Sequence, residues 1–107
     1  MSHQPVSILA LKAVTTTGVG GKSVIPAHAK HTLEVVLTGA PATCVVTLHG
    51  AVTDSGDMTL ATWTLGTVTS GQLVYAVDKP VTRIWASLDT LTGGTAPTVT
   101  ANILSTS

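Results

Sequence analysis

The chain has 107 residues, enough for one domain with a modest core. Only 9% of the residues are charged, the formal net charge is zero and no basic run occurs, which excludes the phosphate-neutralising surface that nucleic-acid binding needs. A single cysteine, Cys44, excludes an intrachain disulfide and a cysteine zinc cluster, and no apolar run approaches the length of a membrane span.

Helical periodicity is nearly absent. Thr is the commonest residue and Val is abundant, both β-branched and suited to pleated backbone. Short alternating runs separated by Gly, Pro, Asp and Ser predict an all-β, two-sheet antiparallel β-sandwich of about eight strands. The runs are 6–14, 22–26, 31–38, 43–50, 59–68, 72–77, 81–88 and 97–104.

The first run, "VSILALKAV", is apolar on both faces: Val6, Ile8, Ala10 and Val14 on one, Leu9, Leu11 and Ala13 on the other. It therefore reads either as a strand covered on both sides or as an arm lying on a partner. The second reading, with "TTTGVGG" as its flexible connector, divides the chain into an arm and connector over 1–21 and a sandwich domain over 22–107. The same N-terminus lacks Lys or Arg ahead of its apolar part, and Lys12 interrupts that part, so no secretion signal is expected. "GVGGKS" imitates the end of a phosphate loop. The first glycine position of that motif falls on Thr16, however, and Pro26 follows where a helix should begin, so a turn is expected.

"HAKH" places His28 and His31 three apart, on opposite faces if they lie on one strand, and no third ligand is near in sequence. Solvated loop histidines are expected rather than a metal site. In the third, fourth, seventh and eighth runs, alternation gives one apolar and one mostly Thr-bearing face. The apolar sets are Leu33, Val35 and Leu37; Cys44, Val46 and Leu48; Ile84, Ala86 and Leu88; and Val99, Ala101 and Ile103. "TDSGD", holding Asp54 and Asp57, is too poor in ligand oxygens for a calcium loop and reads as a solvated turn. Trp63 alternates with Ala61 and Leu65 and is expected in the core. Trp85 shares a face with Arg83 and Ser87 and is either an outer contact or an edge-packed structural residue.

The segments "GVGGKSV", "AHAKHTLEVVLTGAPATCVVTLHGAVTDSGDMTLATWTLGTVTSG" and "KPVTRIWASLDTLTGGTAPTVTANIL" together resemble small β-sandwich virion proteins of tailed bacteriophages. Their layout is similar to the galactose-binding-like, or discoidin-type, jelly roll. In that resemblance "LHGAVTDSGD" stands for the ligand loop, Trp63 for the strand tryptophan and "PVTRIWASL" for the late strand. The loop lacks the simple Ser-x-Asp-Gly form.

The resemblance implies a virion structural protein, foremost a capsid decoration or minor capsid protein acting by assembly. The alternative is a non-catalytic carbohydrate- or receptor-binding module of a phage tail. No enzyme is expected, because no nucleophile–base or metal-ligand set stands at a workable spacing. No cofactor is expected either. The expected partners are the major capsid protein or other virion proteins, together with further copies of the chain; carbohydrate is the alternative ligand. The expected location is the virion, after synthesis in the host cytoplasm. The candidate assembly contacts are Val6, Ile8, Leu9 and Leu11 on the arm, with Arg83 and Trp85 on the late strand.

Overall fold

The structure of the protein is a computed structural model, which describes residues 4–65 and 72–107. Nine strands follow in chain order: β1 (Val6–Val14), β2 (Gly18–Val19), β3 (Ser23–His28), β4 (Lys30–Thr38), β5 (Thr43–Ala51), β6 (Met58–Thr64), β7 (Gln72–Ala76), β8 (Val81–Thr92) and β9 (Thr98–Thr106). No helix occurs among the described residues. The predicted run over 59–68 matches β6 as far as Thr64, and its end falls partly outside the described residues. β2 has no counterpart among the predicted runs, because two residues carry no alternation.

The strands form two antiparallel sheets. One has the order β1-β9-β4-β7; the other has the order β2-β8-β5-β6, with β3 also paired to β8. β2 and β3 share β8 as neighbour, Gly18 opposite Leu88 and Ser23 opposite Ile84, so together they form one interrupted edge strand. Counted that way the sandwich has eight strands, and every sheet neighbour pair except β5–β6 is non-consecutive along the chain. That is the double Greek-key arrangement of a jelly roll.

The core lies between the sheets. Leu33, Val35, Val46, Leu48, Trp63, Ile84, Ala86, Val99 and Ala101 are all fully or almost fully excluded from solvent. These are the residues that alternation places inward. Threonine explains itself on the other faces. Thr38 pairs with Thr98 and Thr43 with Thr92 directly across strands, hydroxyl to hydroxyl.

β1 corrects the reading of its segment as an arm. It runs antiparallel to β9 from Val6 opposite Ser105 to Val14 opposite Val99, and forms an edge of the four-stranded sheet. Its apparent two-faced apolarity comes from bulges. Leu9 opposes Asn102 but Leu11 opposes Ala101, so Ala10 is an extra residue and the faces exchange after it. Leu11 thereby enters the core at 5% exposure, while Leu9 stays outside at 53%. A second irregularity before Val14 places Ala13 at φ 46°. Two bulges on an edge strand also make that edge a poor template for pairing with other strands.

Two turns lock one end of the sandwich. Gly39 (φ 78°) and Gly94 (φ 74°) approach each other so closely that a Cβ on Gly94 would lie 2.3 Å from the Gly39 carbonyl oxygen. Thr95 N–H donates to that same oxygen at 2.9 Å. Both positions need glycine for the left-handed backbone and for the close approach.

Candidate functional site

The outer face of the five-stranded sheet carries a connected polar cluster. It begins with a third bulge. Val45 opposes Thr90 while Val46 opposes Leu88, so Asp89 is the extra residue of β8. Leu88 and Leu91 can then both pack on the core, and the Asp89 carboxylate turns outward. It accepts from Ser87 Oγ at 2.8 Å on one oxygen and from Thr47 Oγ1 on the other.

His49, directly opposite Trp85 in the β5–β8 pairing, joins this cluster to the loop after β5. Its Nδ1–H donates to Asp57 Oδ1 at 2.8 Å, and its Nε2 meets Ser87 Oγ at 2.7 Å. The imidazole stacks on Trp85, with ring centroids 5.4 Å apart. Lys22 reaches over the same indole from the β2–β3 edge, its Nζ 4.5 Å from the ring centroid, and donates to the Asp54 carbonyl at 3.0 Å. Asp54 also accepts from Arg83 Nε at 2.6 Å. Gly56 N–H donates to Thr53 O and closes the turn that carries both aspartates.

Alternation places Trp85, Arg83 and Ser87 on the outer face, and the register agrees. Of the two readings of Trp85, a contact or a packed residue, its exposure of 2% selects the packed one, outside the core cluster. "TDSGD" is a turn as expected, but its two carboxylates are partnered rather than merely solvated. The Asp57–His49–Ser87 chain is invisible in the sequence, because its members come from a loop, β5 and β8. No local spacing records that meeting.

The distances match a Ser-His-Asp relay, but the surroundings do not suit acyl transfer. Ser87 is 3% exposed in the middle of β8, with a paired strand on each side. The Asp89 carboxylate, 2.8 Å from its Oγ, competes with the imidazole for its single proton. The cluster suits a structural role instead, since it fastens the loop and the β2–β3 edge over an aromatic side chain.

His28 and His31 require a correction. Both are strand residues, 0% and 2% exposed, not solvated loop histidines. His31 points inward with Leu33 and Val35. Its Nε2–H donates to Lys79 O at 3.0 Å and its Nδ1 accepts from Ser105 Oγ at 2.8 Å. His28 Nε2–H donates to Gln4 O at 3.0 Å. Burial lowers the His31 pKa; the Lys79 contact opposes that shift, and neighbouring His28 adds to it. No group of three or more metal-ligating side chains forms among the described residues. Cys44 is buried as alternation predicts, and burial pushes its thiol up to about 11.

The opposite outer face, on the four-stranded sheet, differs in character. One row across the strands reads Ser7, Leu104, Thr32, Tyr75; the next reads Leu9, Asn102, Glu34, Leu73. Leu9, Leu73, Tyr75 and Leu104 are exposed around an Asn102 Nδ2–H to Glu34 Oε1 hydrogen bond of 3.3 Å. Between them lies a shallow depression of about 320 Å³. Of the candidate assembly contacts, Leu9 is on this face. Val6 and Ile8 are half-buried against the core, Leu11 is buried, and Arg83 and Trp85 belong to the opposite sheet.

The architecture defines the chain as a jelly-roll β-sandwich, and the solved structures it is similar to have this fold. No protein-family model matches it, and neither does any curated protein. The SPBc2 prophage-derived protein YomS superposes with a TM-score of 0.71 at 12% identity, over 97% of this chain and 94% of YomS. The PBSX exported protein XepA gives 0.72 at 13% identity, over 97% of this chain but only 38% of XepA. The VP2 subviral particle of infectious bursal disease virus gives 0.53 at 16% identity, over 96% of this chain and 32% of that one. At these identities the likeness is one of fold.

Proposed function

We propose that this protein is a structural component of a tailed-phage virion, working by protein–protein assembly as a decoration or minor capsid protein on the major capsid protein. The observation that carries the reading is the apolar outer face of the four-stranded sheet. Four large apolar side chains stand exposed on it, Leu9 beside Leu104 and Leu73 beside Tyr75 on either side of β4, on a chain with only 9% charged residues, and exposed apolar surface of this kind marks contact sites. The full-length fold likeness to a prophage-derived protein and the partial likeness to a viral particle protein support the same reading. A non-catalytic role fits the sealed environment of Ser87. Mass spectrometry and immunogold labelling of purified particles test it. The protein should be present at many copies per particle, on the shell; its absence from particles would sink the proposal.

One observation favours the alternative, a sugar-binding tail module. Tyr75 is 65% exposed beside the depression lined by Glu34 and Asn102, which supplies an aromatic platform with polar groups near it. Trp85 offers no such platform, because it is covered. Binding to a glycan array that disappears in Tyr75→Ala, together with labelling of tails rather than shells, would favour this reading.

A further inference from the structure

We infer that the outer face of the four-stranded sheet is a self-complementary surface that takes a second copy of this chain, face to face across a two-fold axis. This inference rests on the assembly reading and names one partner of that face.

The register supplies the pattern. On central strand β4, Lys30 and Glu34 are four residues apart with Thr32 midway, all on the outward side. Suppose a two-fold axis lies along the row containing Leu104, Thr32 and Tyr75. It reverses the strand direction of the second copy and brings Lys30 of each copy over Glu34 of the other. The same operation stacks Tyr75 on its symmetry mate and Leu104 on its own. It also brings Leu73 over Val77, which is 57% exposed. Apolar groups meet apolar groups and opposite charges meet, with no like-charge contact on β4. The same axis placed one row away, through Glu34, would oppose two carboxylates.

The size of the face fits. Three strands of nine residues and one of five, about 4.8 Å apart and rising about 3.4 Å per residue, give a flat area of roughly 520 Å². Projecting side chains raise the accessible area above that value, toward the roughly 800 Å² per partner of a standard-size interface. Sheet faces pack in this manner about 10 Å apart in sandwiches generally.

The test is sedimentation equilibrium of the full chain, with circular dichroism as a folding control. The wild type should be a dimer. Lys30→Glu and Glu34→Lys should each weaken it about tenfold or more, and the double exchange, which restores the pair across the axis, should recover most of the loss. Tyr75→Lys should give a folded monomer, whereas Val24→Lys on the other sheet should leave the dimer intact. A monomeric wild type, or an oligomer indifferent to Tyr75→Lys, overturns the inference; failure of the double exchange to rescue overturns the two-fold arrangement. Particle co-sedimentation of the same variants keeps the two readings apart. A dimer that never binds particles fails the assembly reading alone, and a monomer that binds particles fails this one alone.

Discussion

His49 lies flat against Trp85, the two ring planes 4° from parallel. The pair forms because β5 and β8 place these residues directly opposite each other on the outer face. Asp57 and Ser87 then fix the imidazole from both nitrogens. An aromatic side chain outside the core is thus almost as hidden as one within it.

Both tryptophans should therefore be protected. Iodide should quench the fluorescence of Trp63→Phe and Trp85→Phe equally poorly in the folded protein, and strongly after denaturation. Strong quenching of Trp63→Phe alone would mean that the cover over Trp85 is open in solution.

Trp85→Ala should destabilise the fold by about 3 kcal/mol, the lower part of the range for buried large aromatics, since one side of the site can admit water. His49→Ala should cost less, about 1–2 kcal/mol, through lost stacking and the loss of a partner for Ser87. Asp54→Asn, by contrast, should barely change stability. That carboxylate is highly exposed, and its pairing with Arg83 is screened. Urea unfolding of the three variants gives the order.

Acid should weaken the protein through His31. Its folded pKa lies below the usual value of 6.5, so the unfolded chain takes up a proton there more readily. The contribution of neutral His31 is complete above pH 6.5 and is lost as pH falls from there toward the lower folded-state pKa. Thermal midpoints should drop across that interval in the wild type and drop less in His31→Gln. Equal slopes for the two proteins would assign the acid sensitivity elsewhere.

Cys44 should resist alkylation while the protein is folded. A thiol raised to about 11 and buried is neither ionised at neutral pH nor accessible. Iodoacetamide labelling followed by intact mass should show modification only when denaturant is added.

Hydrolysis of activated esters should not exceed background, and Ser87→Ala should leave it there. The same variant should lower stability, because Asp89 and His49 each lose a partner. Turnover abolished by Ser87→Ala would make the Asp57–His49–Ser87 chain a working relay.

Alternation in the sequence by itself determined the sandwich, its inward-facing residues and the opposite faces on which Trp63 and Trp85 lie. Side-chain direction in a strand has period two, and the apolar sets follow it. Only the tertiary structure decided what depends on an extra residue or on a distant neighbour. Ala10 and Asp89 each break the period without any mark in composition: one sends Leu11 into the core, the other aims a carboxylate at Ser87 and Thr47. His28 and His31 read as loop residues because burial of a polar ring depends on acceptors such as Gln4 O and Lys79 O that lie far away in the chain. Trp85 is covered for the same kind of reason: Lys22 and the turn bearing Asp54 and Asp57 converge on it only once β3, β5 and β8 are side by side.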